Sequence, residues 1–521
     1  MALLGNLTGS SQFFNPNNFY NGVVTTSLRL DKASTGYLYR TPSGASNRRT
    51  FTVAFWYKTS IVFVSEGSDQ NNPIFYADEP SAGGQFALNV SGQGQGAATD
   101  TVNEMQYYDY DSADSTDYGL ETNRPFNDPS AWYHVVWAFD TTQATEANRV
   151  KVYINGVQHA YTDMNAHHGA VIQNRELNVN QATPHWIGRN IDTTSRYMNG
   201  YLADFNFIDG TQYAASDFGE FKNGIWIPKE PNVTYGTNGF RLQFKNTSVG
   251  SGSSSTIGAD TSGNDNHFTS SGIAASDCAM PDSPENNFAT LNPSYRLYNT
   301  SSSFAQGNLQ HISNSTGVTS QGHSTIGLQQ DAGGKWYAEC RLNTQANGST
   351  WIGVCRDVPK LAGGLFVAAT RSNGYAYKIT GNKTTTENDG SSYGNTYTAG
   401  DIIGIAINLD DEQGGLNKLY FSKNGVWQNG ADPSTPSSTT GVVGITKPSN
   451  LTGGGSKMGA YAFAINETWD DNTRTVQWNF GNGYFGTSAI SSAGTNASGN
   501  GIFEYDVPTG YTALSTKGLN L

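Results

Sequence analysis

The 521-residue chain is short of charge, of cysteine and of long apolar runs. Asp, Glu, Lys and Arg together make up only 14% of it, while aromatic residues reach 12%. That balance excludes a disordered polyelectrolyte, which lacks the apolar surface needed to collapse. Three cysteines exclude a disulfide-stapled scaffold, and the odd number leaves at least one thiol unpaired within the chain. Apolar runs such as Ile402–Ile407 fall far short of the ~18 residues that span a bilayer as a helix. The opening MALLGNLTGSSQFF has neither a basic n-region nor a long apolar h-region, so it reads as carrying no secretory signal. Basic side chains are scarce as well: 30 Lys+Arg against 43 Asp+Glu give a net charge of −13 with no basic stripe. Nucleic acid is therefore not an expected partner.

Helix signals are also missing. Few windows place apolar residues at i, i+3, i+4 and i+7, and many of the 60 glycines interrupt those that do. Strand signals recur instead, as apolar-aromatic runs of four to eight residues between Gly, Asn, Ser and Asp clusters. Such runs are Thr50–Lys58, Trp132–Phe139, Val150–Ile154, Trp336–Arg341, Trp351–Val354, Ile402–Leu409, Lys418–Ser422 and Thr475–Phe480. The length suggests two to four domains, and the pattern predicts an all-β protein built of β-sandwiches. Alternation puts Phe51, Val53 and Phe55 on one face and Thr52, Ala54 and Trp56 on the other; Trp336, Ala338 and Cys340 likewise share a face.

Two Asn-Gly pairs, Asn155-Gly156 and Asn424-Gly425, supply the positive-φ positions of tight hairpin turns. Each lies past the middle of its half of the chain, which argues for two sandwiches. Between them, the stretch from Gly250 to Ser302 is rich in Ser, Asn and Pro. It reads as a connector lying over the surface, docked by Phe268, Phe288, Leu291 and Tyr295. The expected division is 1–230, a connector 231–302, and 303–521.

Motifs sharpen this reading. Ser27–Ser60, WYHVVWAFDTT (132–142), VKVYINGVQ (150–158), HWIGRN (185–190) and NGYLADFNFIDG (199–210) resemble, in order, the strands of laminin-G/concanavalin-A-like jelly rolls found in bacteriophage virion proteins. KWYAECRL (335–342), TWIGV (350–354), GYAYKITGNK (374–383), GDIIGIAINLD (400–410), KLYFSKNGVW (418–427) and VQWNFGNGYFG (476–486) resemble a SPRY domain. A long Ser/Thr/Gly/Pro insert at Pro433–Gly455 departs from that second pattern. The resemblance implies two jelly-roll sandwiches in a non-enzymatic virion surface protein, a tail fibre, spike or appendage. Its expected partners are other virion proteins and a host cell-surface glycan or envelope component, without membrane insertion. It also implies a homo-oligomer, a trimer among the options, made in the host cytoplasm. An architectural cement role and a polysaccharide-degrading enzyme are the alternatives.

The search for chemistry gives little. Glycoside hydrolysis needs two carboxylates flanking the bond, and no E-x-D-x-E string is present. GSSYG (390–394) has no strand-to-helix context for a nucleophile elbow. Asp109, Asp111, Asp114 and Asp117 fail the EF-hand spacing, because the required Glu position is Leu120. They remain a candidate for a looser Ca²⁺ site, as, more weakly, do Asp260, Asn264, Asp265 and Asn266. Cys340 and Cys355, near consecutive strands, read either as buried thiols or as a cross-strand pair. The segment from Gly92 to Pro129 reads as a long surface loop. It interleaves Tyr107, Tyr108, Tyr110 and Tyr118 with those acids. Tyrosine offers a flat apolar face and one hydroxyl, and carboxylates accept from sugar hydroxyls, so these tyrosines are the candidate ligand platform, the alternative being a loop that packs on a neighbouring subunit or on its own domain.

Overall fold

The structure, a computed structural model, describes residues 21–63, 71–79, 83–92, 102–111, 116–163, 168–169, 171–190, 196–294, 302–313, 320–329, 333–344, 349–356, 374–385, 389–410, 416–435, 437–446, 460–468 and 473–520. Among them the only helical elements are short 3-10 turns, and two β-sandwiches carry the chain.

In the first sandwich one sheet runs Leu28–Leu30, Gly200–Asp209, Thr50–Thr59, Tyr133–Asp140, Val150–Ile154, Val157–His159. The facing sheet runs Tyr161–Asp163, Thr116–Pro125, Glu104–Asp111, Gly84–Val90, Asn72–Glu79, His185–Ile187, Tyr37–Arg40, Thr269–Ser271. The alternation in Thr50–Thr59 holds: Phe51, Val53, Phe55 and Tyr57 enter the core between the sheets. There Phe51 meets Phe86 of the facing sheet with ring centroids 5.7 Å apart. Ala54 and Trp56 point to the back, where the segment around Ala215, Phe218, Trp226 and Tyr235 covers them. Both faces of this sheet are thus apolar, which explains why the strand reads as a continuous hydrophobic run.

The second sandwich sets Gln310–Ser313, Arg474–Asn479, Lys335–Thr344, Ile402–Asn408 and Leu416–Lys423 against Ser320–His323, Ala460–Thr468, Ser349–Arg356 and Gly374–Lys378. Trp336, Ala338 and Cys340 share the inner face, as their spacing predicts. On the outer face Tyr337 is covered by Phe503, Tyr511 and Ala513 of the C-terminal segment. Glu339 anchors that segment by accepting from the Glu504 and Tyr505 amides, each at 2.9 Å. Cys340 lies between the sheets, Cys355 lies on the far side of the opposite sheet, and none of the three cysteines forms a disulfide.

The segment 231–302 does more than lie over the surface. Phe240–Leu242 pairs with Gly200–Asp209, and Thr269–Ser271 pairs with Tyr37–Arg40, so it extends both sheets of the first sandwich. Phe268 is in the first core, while Leu291 and Ala289 are in the second; Tyr295 lies outside the described residues. The strands escape a periodicity reading because they are three residues long and set among turn formers.

Buried polar groups tie the sandwiches together. Lys58, on the back of its strand, donates to Asp282, Asn287 and the Phe288 carbonyl at 2.8, 2.7 and 2.9 Å. Arg29 pairs with Asp277 at 2.8 Å and reaches Gln306 and the Gly486 carbonyl of the second domain.

Candidate functional site

The tyrosine-acid segment is not a loop. Glu104–Asp111 and Thr116–Pro125 form an antiparallel hairpin, with Asp109 opposite Tyr118 and Tyr110 opposite Asp117. Alternation then splits the candidates between two faces. Tyr107 and Tyr118 are core residues, so they offer no platform to a ligand. Asp109 is fully buried on the same side and accepts from the Asn178 amide at 2.6 Å. Asp111 pairs with Arg175, whose guanidinium also lies over the Tyr118 ring. Tyr108, Tyr110 and Asp117 lie on the outer face, where the Tyr108 hydroxyl donates to Asp117 at 3.4 Å. Asp114 lies outside the described residues. Asp109 and Asp117 thus face opposite ways, and no group of three or more metal-ligating side chains forms among the described residues. The second acidic candidate is also committed elsewhere. Asp260 accepts from the Arg241, Ser262 and Asn266 amides, while the Asn264 and Asn266 side-chain amides donate to the carbonyls of Gly236, Thr237 and Gly239. These are turn-fixing bonds.

A different site forms on the back of the first sandwich. Gly219–Lys222 and Ile225–Pro228 make a hairpin whose turn, Asn223-Gly224, has φ of 49° and 79°. This hairpin stands over the sheet edge and encloses a cleft of about 520 Å³. The sheet side supplies Trp56, Trp132, Ile154, Asn155, Val157, His159 and Arg124; the hairpin supplies Phe221, Gly224, Ile225 and Trp226. The Trp226 indole lies against two glycines, because a Cβ on Gly156 or Gly219 would come within 2.3 or 2.4 Å of its ring. Phe221 stands edge-on to Trp226 with centroids 4.9 Å apart. Behind them His134 lies between Trp56 and Trp226, 4.8 and 5.8 Å from their centroids. Burial alone holds its imidazole down at about 3, so the ring is neutral and apolar in use.

The rim is apolar and exposed: Phe221 is 56%, Ile225 54% and Val157 51% accessible. Inside it, polar groups are few and oriented. Asn155 spends its Oδ1 on the His134 amide. Trp132 is fixed by its Nε1–H, which donates to Asp282. Arg124 lies over the Tyr133 ring at 5.6 Å. An apolar cleft with few, placed polar groups is the common form of a small-ligand site. Gly156, at φ +80°, is the residue that lets Trp226 close down. Gly156→Ala should displace the indole and lower stability by about 1–3 kcal/mol, measured by denaturant unfolding.

The second sandwich holds a serine-histidine-carboxylate series. Ser320 Oγ is 3.1 Å from His311 Nε2, and His311 Nδ1 is 3.3 Å from Glu467. The distances suit a nucleophilic relay. All three residues are at most 1% accessible, so the hydroxyl meets no substrate, and the group is a core network.

Residues 32–215 match the family model of the Concanavalin A-like lectin/glucanases superfamily, and residues 335–440 match that of the SPRY domain. The chain therefore joins a concanavalin A-like jelly roll to a SPRY domain. No curated protein matches it. Among solved structures, a human SPRY domain is 14% identical over 33% of this chain and 90% of its own, with TM-score 0.23. A Bacteroides ovatus protein proposed to bind carbohydrate is 15% identical over 48% of this chain and 59% of its own, with TM-score 0.32. The enzymatically active domain of tailspike protein 2 from bacteriophage CBA120 is 13% identical over 37% of this chain and 26% of its own, with TM-score 0.24. These likenesses are distant, and none bears on what this chain binds.

Proposed function

We propose that the chain is a non-enzymatic carbohydrate-binding protein of a phage particle surface, and that the aromatic cleft is its glycan site. The observation that carries this reading is the pairing of Trp226 and Phe221 on a rigid hairpin above Asn155, His159 and Arg124. A sugar ring presents an apolar face of C–H groups and a rim of hydroxyls, and the cleft offers the complement of each. No residue lining the cleft is a carboxylate, so it holds no acid/base pair for glycosidic cleavage. The placement on a virion rests on the ordered motifs from Ser27 to Gly210, which resemble jelly rolls of phage virion proteins, while those from Lys335 to Gly486 resemble a SPRY domain.

The test is a glycan panel and intact candidate host cells, read by binding of the full chain. Trp226→Ala should weaken saturable binding by about 30-fold or more, as expected of a central aromatic anchor. Phe221→Ala, at an exposed position that leaves the fold intact, should weaken it less, by several-fold. The exposed apolar rim also suits a neighbouring virion subunit. Failure of every glycan and cell to bind, with retention on particles lacking this chain, would replace the carbohydrate reading by an architectural one.

A further inference from the structure

The charge inside the cleft narrows the ligand class, granted the carbohydrate reading above. We infer that the cleft selects anionic sugars, with Arg124 as the residue that reads the negative group. In a chain of net charge −13, the only formally charged side chain among those lining the cleft is this arginine. Every other buried or half-buried arginine discussed above has a carboxylate: Arg29 has Asp277, Arg175 has Asp111, and Arg241 has Asp204 and Glu230. Among the described residues Arg124 makes no ion pair and no side-chain hydrogen bond. Its guanidinium is held over Tyr133 instead, which fixes the plane and leaves the N–H fork unspent. Burial, and after it the nearby Asp128, raises the Tyr133 hydroxyl, and the Asp128 Oδ1 accepts from the Ser130 amide and hydroxyl at 2.9 and 2.6 Å.

Two further donors face the same space. Among the described residues the Asn155 side-chain amide has only its oxygen engaged, by the His134 amide, which leaves its N–H₂ available. His159 is kept below its ordinary pKa by burial and by the Arg124 charge, so it meets a ligand at neutral pH as a neutral imidazole. A carboxylate or phosphate on a sugar stacked against Trp226 would therefore meet one cation and uncharged donors, with no acid among the residues lining the cleft. The hairpin carrying Trp226 and Phe221 lies beyond residue 215, where the match to the lectin-like family ends.

The experiment uses the full chain and a panel of acidic oligosaccharides, uronate-bearing and phosphate-bearing, each paired with its neutral counterpart: a carboxyl-reduced or dephosphorylated form. At least one acidic member should bind tenfold or more tightly than its neutral form. Its affinity should fall as salt is raised from 50 to 500 mM. Arg124→Gln should abolish that preference, lowering affinity for the acidic form at least about tenfold more than affinity for its neutral counterpart. Arg124→Lys should recover only part of it, since the ammonium lacks the planar fork. Equal binding of acidic and neutral forms, or an Arg124→Gln variant with undiminished preference, would overturn the inference and leave the carbohydrate reading standing. Absence of binding by any sugar would overturn both.

Discussion

Asp282→Ala should cost about 3–5 kcal/mol of stability, the largest loss expected from any single truncation at a polar position. The carboxylate is 3% accessible and the Lys58 ammonium it meets is fully buried. One oxygen accepts from Lys58, and the other accepts from Trp132 Nε1–H at 3.1 Å and from the Phe288 amide. Lys58 in turn uses all three of its donors, on Asp282, Asn287 and the Phe288 carbonyl. Desolvation outweighs attraction at both ends: the Lys58 pKa is lowered and the Asp282 pKa is raised. A pair in that condition adds little to stability as a pair. Leaving either charge alone is expensive, and replacing both by apolar groups is cheap. Hence Lys58→Met with Asp282→Leu should recover most of the loss seen with Asp282→Ala, read by denaturant unfolding. The loss should also be felt beyond the first sandwich. Residues 286–288 are held from the other side by Asn500, Thr516 and the Tyr337 cluster. Because Asp282 also fixes Trp132, which lines the cleft, Asp282→Ala should weaken ligand binding as well. Full recovery of binding without recovery of stability would break that link.

The two-sandwich architecture was legible because its cues are local. Phe51, Val53 and Phe55 alternate with residues of the other face, and Asn155-Gly156 and Asn424-Gly425 turn with φ near 49° and 80°, as the dipeptide demands. A third such pair, Asn223-Gly224 in FKNGIWIP, carries the same signal and adopts the same geometry. Its flanks, Phe221 and Trp226, mark a hairpin as plainly as the other two. What no local pattern shows is that this hairpin folds back over Gly156, and that two glycines make room for one indole. That is long-range packing, and the cleft exists only through it. The tyrosine-acid segment fails for the opposite reason. Its period of two is a strand pattern, but an aspartate at an inward position, Asp109, reads as solvent-facing. The Asn178 amide that makes such a position tolerable is far away in sequence. Arg124 is invisible for a related reason: an arginine without a partner looks, in sequence, like any other.

The second large effect is on acid stability, and it depends on groups that oppose each other. Burial holds His134 at about 3, and His185 and His323 at about 4. Each is neutral in the folded chain where the unfolded chain binds a proton, so each withdraws stability as pH falls from about 6.5 toward 4. Burial acts the other way on acids, lifting Asp109 and Glu339 to about 7. Their folded forms bind protons that the unfolded forms release, so each adds stability as pH falls from about 7 toward 4. Asp282 shifts in the same sense. Protons taken up by the unfolded chain at histidine are therefore matched by protons held in the folded chain at carboxylate, and the wild-type protein should show only a shallow pH dependence between 5 and 7. The double variant Asp109→Asn with Glu339→Gln removes one side of that balance. As pH falls, its unfolding free energy should drop more steeply than the wild type's, the difference growing to about 2.7 kcal/mol per pH unit toward pH 5, two protons at about 1.36 kcal/mol each. A constant offset from altered hydrogen bonds at Asn178, Glu504 and Tyr505 does not change that slope. His134→Phe, which keeps a ring between Trp56 and Trp226, should flatten acid loss by one proton's worth. Parallel pH profiles for the wild type and the double variant would show that Asp109 and Glu339 stay ionised in the folded chain, and that the hydrogen bonds they accept outweigh their burial.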